Sequence, residues 1–270
     1  MKLALCNEAF ERWAWPDTVR AIAEAGFDGV EVSPFTLAES VVDLSAANRA
    51  TIRRQAQDVG LEVVGLHWLF VSPKGLHATT RDRATRQRTV AYLQELVRFC
   101  GDLGGRVMVA GSPQQRAVQQ DVQYEEAWRW FVDMIRACLD LAAERQVTLC
   151  MEPLPANSTN FVNSLAEAVK MVQEVGHPHF QTMFDVHNAC DETEPLPDLV
   201  LRYMPYIKHV HVNEMDGRHP GSGDFDFGSI LRVLEQAHYD GYVSVEAFEF
   251  SMGGERIAME SIRALRAASG

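Results

Sequence analysis

The chain of 270 residues is 47% hydrophobic and 23% charged, the composition of soluble globular material with enough apolar residues to bury a large core, and a size at which α/β barrels form one domain over 1–270. Its formal net charge of −12 repels polyphosphate and anionic lipid, and the one basic run, "RDRATRQR" (81–88), reads as the solvated start of a helix, which argues against nucleic acid and membrane as partners. Five scattered cysteines without C-x-x-C spacing argue against a disulfide framework and a zinc-thiolate site and suit a reducing cytoplasm; no apolar run approaches the roughly 18 residues of a membrane span.

The opening "MKLALC" ends like a lipobox, but no signal-peptide apolar region precedes it, and "KLALCN" (2–7) reads as the first buried strand. An amphipathic stretch follows over 15–26, with Asp17 where an N-cap is expected and Gly26 where a left-handed C-cap would end it. "GVEVSP" (29–34) is the second strand, and "EVVGLHWLF" (62–70), entered behind Gly60, the third. A helix over 86–104 closes on Gly104 and leads to "RVMVAG" (106–111); a helix over 124–146 leads to "VTLCMEP" (147–153). Ser164 caps a helix over 164–176 that stops at Gly176, before "FQTMFDVH" (180–187). "IKHVHVNE" (207–214) is the seventh strand; the turn "HPGSGDFDF" carries two acids and reads as entry to a helix over 228–237 rather than as a phosphate cradle. Gly241, read as a further left-handed C-cap, then precedes "YVSVEAFEF" (242–250).

Eight strands alternating with helices, without a linker-like tract, predict one closed (β/α)8 TIM barrel; a doubly wound open sheet is the alternative. A faint echo between 23–32 and 235–246 sets Glu31 and Glu246 at matching strand ends. In a barrel, catalytic groups gather where strands end and βα loops begin. Four polar residues occupy such ends on four consecutive strands, each about one βα unit of roughly 30 residues from the next: Glu152, Asp185, His211 and Glu246. Alone, each reads as a solvated loop acid, an N-cap or a satisfied core histidine. Together they form a ring of three carboxylates and one imidazole that would repel itself without a divalent cation, and its oxygen-rich character suits Mn²⁺, Mg²⁺ or Co²⁺ better than structural zinc.

In "MEPLPANSTNFVNS" (151–164), "FDVHN" (184–188), "HVHVNEMDGRHPGSGDFDF" (209–227) and "YDGYVSVEAF" (239–248) the chain resembles the sugar isomerase/epimerase superfamily of xylose isomerase-like barrels, and within it the D-tagatose and D-psicose 3-epimerases. The resemblance implies that Glu152, Asp185, His211 and Glu246 bind the metal, Mn²⁺ first, and that Glu152 and Glu246 are also the acid/base pair. Such a site polarises a ketose carbonyl, holds the resulting enediolate, and removes and returns a proton on opposite faces. His187 and Arg218 are the candidate substrate contacts, with a strand-end cap and a surface loop charge as their bland alternatives; Asn188 and Glu214 are further candidates. His67 and Trp68, with Trp13, Trp15 and Phe70, would wall a sugar or serve as core and rim.

The chain departs from those epimerases in two places. Pro155, Ala156, Asn157 and Ser158 stand where many carry an Asn-Arg-Tyr-Glu-like run, and their arginine falls nearer Gly217, beside Arg218. The leading expectation is a metal-dependent isomerase or epimerase of a small, unphosphorylated ketose or keto-sugar, cytoplasmic and a homodimer or homotetramer by resemblance. The alternatives are a metal-dependent lyase that dehydrates an inosose or dehydroshikimate, an endonuclease-IV-like enzyme, disfavoured by charge, and a sugar-binding protein, disfavoured by the two glutamates.

Overall fold

The computed structural model describes residues 1–269. Eight parallel strands, β1 (Lys2–Cys6), β2 (Gly29–Val32), β3 (Glu62–Leu66), β4 (Val107–Ala110), β5 (Thr148–Met151), β6 (Phe180–Asp185), β7 (Ile207–Val212) and β8 (Tyr242–Val245), pair in chain order, and β8 closes on β1. The closed barrel holds and the open sheet falls. Every strand is shorter than its apolar-plus-polar run, because the last residues leave the hydrogen-bonded ladder and open the βα loops.

The ten α-helices among the described residues are α1 (Trp15–Ala25), α2 (Ala46–Asp58), α3 (Arg83–Leu103), α4 (Pro113–Arg116), α5 (Tyr124–Arg136), α6 (Leu139–Arg145), α7 (Leu165–Val175), α8 (Leu196–Tyr203), α9 (Phe227–Gln236) and α10 (Gly254–Ala268). The helix expected over 124–146 is two, α5 and α6. At the break the Cys138 N–H turns to the Ile135 carbonyl, and the Ala137 carbonyl accepts instead from Gln94 Nε2 on α3 at 2.9 Å. The Ser164 hydroxyl caps α7 by accepting from the Glu167 N–H, as read. Asp17 does not cap α1: Ala14 holds that position, and Asp17 sits in the first turn, bonded to Arg20 at 3.1 Å. Gly241 caps nothing either, since α9 ends at Gln236 and the positive-φ residue after it is His238. Gly26 has φ +101 at the end of α1, a conformation that leaves room for the Arg266 guanidinium, which donates to the Gly26 carbonyl at 2.7 Å.

Alternation along each strand aims every second side chain at the barrel axis. One inward level is partly apolar, with Val109, Cys150 and Met183 in mutual contact. The next levels toward the C-terminal ends are polar, and the ladder slips at two points beside them, between Val30 and Glu31 and between Thr182 and Met183. Bulges of this kind re-aim the side chains that follow. Among the described residues no helix is long and apolar enough to cross a membrane.

Candidate active site

Glu152, Asp185, His211 and Glu246 converge at the C-terminal ends of β5 to β8, buried, with one donor atom from each lying within 4.8 Å of the others. His211 organises the group. Its Nδ1 faces the carboxylates, 2.9 Å from Glu246 Oε2 and 3.6 Å from Asp185 Oδ2, while its Nε2 lies 3.1 Å from Glu31 Oε1. Glu31 is fully buried and takes His209 Nε2 on its other oxygen at 2.7 Å. One imidazole nitrogen held by a carboxylate while the other faces ligand-type oxygens is how metal-binding histidines are oriented. The sequence echo between Glu31 and Glu246 therefore marks two residues that meet the same histidine.

The electrostatics describe a site short of positive charge. Burial first, then Glu246 and Asp185, hold Glu152 well above the usual carboxylate range. Burial also raises Glu246, against the pull of His211 and His67. For His211, burial would lower the imidazole, but Glu31 and Glu246 overcome it and raise it well above its ordinary value. Three oxygen donors and one nitrogen, crowded and mutually repelling, fit a divalent cation.

A cavity of about 180 Å³ opens above this cluster, with Glu152 and Glu246 on its floor. Its apolar wall is Trp68, Pro113, Leu154 and Phe248; its polar contacts come from His67, Ser112, Ser158, His187 and Asn188. Trp68 and Ser112 carry φ of +52 and +37, strained backbone of the kind that gathers at functional sites, and the Ser112 hydroxyl accepts from the Phe70 N–H at 3.1 Å, bracing the loop after β3 against the one after β4. Asn188 Nδ2 donates to Glu152 Oε1 at 3.0 Å, and its backbone N–H donates to Asp185 Oδ1 at 2.7 Å. His187 Nδ1 sits 2.8 Å from the Met215 carbonyl, which makes Nδ1 the protonated nitrogen of the neutral ring and Nε2 an acceptor.

Two of the candidate contacts lie elsewhere. Arg218 is a surface loop charge, its Nε on Asp216 at 2.7 Å, outside the cavity lining; Gly217 is the residue whose backbone abuts His187 and Phe248. Glu214 is buried beside the site but not in its wall: it accepts from the Gly221 and Phe225 N–H groups at 3.0 and 3.1 Å and pins the loop into α9, whose Asp226 is the N-cap. Of the expected wall, His67 and Trp68 line the cavity; Trp13 is exposed, and Trp15 and Phe70 are buried outside its lining.

Several residues that shape the site were not singled out from the sequence. Gly111 leaves space that a Cβ would take from the Glu152 carboxylate. Asn213 Oδ1 accepts from the His187 N–H at 2.8 Å while its Nδ2 reaches Asp185 Oδ2 at 3.3 Å. Arg116, almost fully buried, donates through Nη1 to the Glu152 carbonyl at 2.6 Å and the Ala110 carbonyl at 3.1 Å; burial lowers it to about 10 despite the nearby Glu152 carboxylate. Glu8 and Ser33 join His67, with Glu8 Oε2 2.8 Å from His67 Nε2. Strand parity was the available signal: Glu8, Ser33 and Gly111 each fall two residues after an inward position, as Glu152 and Glu246 do.

Comparison with known proteins agrees with this architecture. A D-psicose 3-epimerase from Agrobacterium fabrum is 25% identical over 233 residues, covering 85% of this chain and 78% of its own. A probable ketose 3-epimerase from Synechocystis sp. is 22% identical over 235 residues, covering 83% and 75%. The D-psicose 3-epimerase of Clostridium cellulolyticum, crystallised with D-tagatose, superposes with a TM-score of 0.87 at 18% identity over 100% of this chain and 99% of that one, a likeness of fold. The model of one family, the xylose isomerase-like TIM barrel, matches residues 19–268. With nearly its whole length accounted for in this way, the chain belongs to the xylose isomerase-like TIM barrel family.

Proposed function

We propose that the protein is a divalent-metal-dependent epimerase or isomerase of a small keto-sugar, with Glu152 and Glu246 as its acid/base pair and Glu152, Asp185, His211 and Glu246 as the metal ligands, Mn²⁺ first among the ions. The observation that carries this reading is that two glutamates of one four-residue donor cluster both face one cavity. When bound, a divalent cation supplies the positive charge that polarises a carbonyl and relieves the mutual repulsion of the three carboxylates.

The chain's own residues supply the rest. Asn188 occupies Glu152 Oε1, which leaves Oε2, seated in the space that Gly111 offers by having no Cβ, as the oxygen to take or return a proton. Glu246 Oε2 is engaged by His211, which leaves Oε1 as its proton-carrying oxygen. His187 Nε2 accepts a sugar hydroxyl, and the Trp68 and Phe248 faces pack against the apolar side of the ring. Ser158, small and uncharged, lines the wall at the end of the run where the epimerases it resembles carry a glutamate, which supports a substrate gripped less by charge than by shape. Cytoplasmic residence, supported by the scattered cysteines, and a homodimer or homotetramer, supported by resemblance, complete the reading.

The test is metal content of wild type and His211→Ala, followed by incubation of Mn²⁺-supplemented enzyme with a panel of ketoses in D₂O. Near-stoichiometric metal, lost in the variant, and deuterium entering a carbon next to the carbonyl are expected. No metal after supplementation overturns the reading; a product lighter by one water moves the activity to a lyase.

A further inference from the structure

At the opposite end of the barrel from the proposed active site, a cavity of about 470 Å³ opens among the first residues of β3, β4, β7 and β8 and the last turns of α2 and α3. Its charged rim is cationic: Arg53, Arg106 and Lys208 stand with Glu62 and Asp240. Glu62 is already engaged, by Lys2 Nζ at 2.6 Å and by the Tyr242 hydroxyl at 2.8 Å, which leaves Asp240 as the one carboxylate of the lining to offset three cations. Those cations are not claimed by acids elsewhere. Arg106 donates to the neutral Gln146 amide oxygen at 2.6 Å, and neither Arg53 nor Lys208 has an ion-pair partner among the described residues. Arg53 lies beside Gly104, the C-cap of α3, where its charge offsets the negative end of that helix on the cavity side. In a chain of net charge −12 the three are far apart in sequence, on α2, before β4 and within β7, and only the closed barrel brings them together.

A second observation does not depend on the rim. His209, 1% exposed, is the buried polar residue of this lining. Its Nε2 is held by Glu31 Oε2 at 2.7 Å; a carboxylate only accepts, so Nε2 carries the proton and Nδ1 of the neutral ring presents a lone pair. That nitrogen has no hydrogen-bond partner among the described residues, and the cavity is the space open to it. A buried acceptor inside and guanidinium groups at the rim suit one ligand that carries both a hydroxyl and a multiply charged anion, and guanidinium forks match the oxygens of a phosphate.

We propose that this cavity binds a small hydroxylated phosphate ester, of the chemical class of glycerol and sugar phosphates, with the phosphate held by Arg53, Arg106 and Lys208 and a hydroxyl donated to His209 Nδ1. The ligand is an effector rather than a substrate, because the packed level of Val109, Cys150 and Met183 stands between it and the cavity of Glu152 and Glu246. The site is independent of whether a metal binds at the other end.

The test is isothermal titration of glycerol 3-phosphate into the purified protein, with chloride holding the ionic strength constant and sulfate as an anion that has no hydroxyl to give. Arg53→Gln, Arg106→Gln and Lys208→Gln, all at exposed positions, are titrated alongside after a check of fold by far-ultraviolet circular dichroism. One saturable site per wild-type chain is expected, weakened about tenfold or more in each folded variant and for sulfate. Absence of saturable binding to wild type overturns the proposal, and so does binding unchanged in the folded variants, which would put the anion at the other mouth. Sulfate bound as tightly as glycerol 3-phosphate removes the hydroxyl contact to His209 and overturns the ligand class.

Discussion

Glu246 touches both halves of the site, through His211 on one oxygen and toward His67 on the other. Glu246→Gln keeps the shape and removes the proposed base, so kcat is expected to fall by about 10²–10⁴-fold with the fold intact; near-normal turnover in the variant would remove Glu246 from the chemistry. Glu31 acts one step back. With no exposure and with His211 Nε2 on its carboxylate, it fixes which imidazole nitrogen faces the ligands. Glu31→Gln should weaken Mn²⁺ affinity about 10–100-fold, read by isothermal titration, and an unchanged affinity would make Glu31 a packing residue only. At this scale the sequence was informative where an acid ended an apolar strand, and Glu152, Asp185, His211 and Glu246 meet as their spacing suggested. It did not place Arg218 and Glu214, which lie outside the cavity lining, because loop residues carry no periodicity to say which way they face. Arg116 was hidden for a different reason: a charged residue in a short polar segment gives no sign that it will be buried.

Strands and helices were legible from hydrophobic period and glycine stops, and less so at their ends. Apolar runs such as "EVVGLHWLF" continue past the ladder, so β3 ends at Leu66 while His67 and Trp68 already belong to the cavity. The break between α5 and α6 lies in uninterrupted helical period, since its cause is a partner on another helix, Gln94. Ser164 shows local chemistry that needed no such partner. Its hydroxyl bonds the Glu167 N–H at 3.2 Å, and Ser164→Ala is expected to cost about 1 kcal/mol, seen as a lower midpoint in chemical denaturation; no shift would mean water caps α7 equally well.

For the whole molecule, the crowded interior couples stability to pH. His67 has an ordinary value of 6.5 and is pushed up to about 9 in the folded chain, because Glu8, Glu31 and Glu246 outweigh the lowering by burial. A group raised on folding stabilises fully below its unfolded value, so this contribution is whole below pH 6.5 and lost as pH rises through about 9. Glu152, raised by burial and by its carboxylate neighbours, acts in the same direction, the folded state keeping a proton that the unfolded chain has released. The melting temperature of chelator-stripped protein should therefore fall between pH 6.5 and pH 9, and fall less with Mn²⁺ bound; a flat or rising profile would contradict the electrostatics described here.

The seam between β1 and β8 pairs Lys2 with Tyr242 and Leu5 with Val245, joining opposite ends of the chain. On the ribosome that seam stays open until nearly the last residue has emerged. Glu31 is made long before His209 and His211, the two imidazoles that hold its carboxylate in the folded barrel, so through most of synthesis it is an acid without those partners. A charged residue on an unpaired strand disfavours edge-to-edge association, so the Glu31 carboxylate that is enclosed in the finished barrel would, before closure, oppose pairing of β2 with other chains.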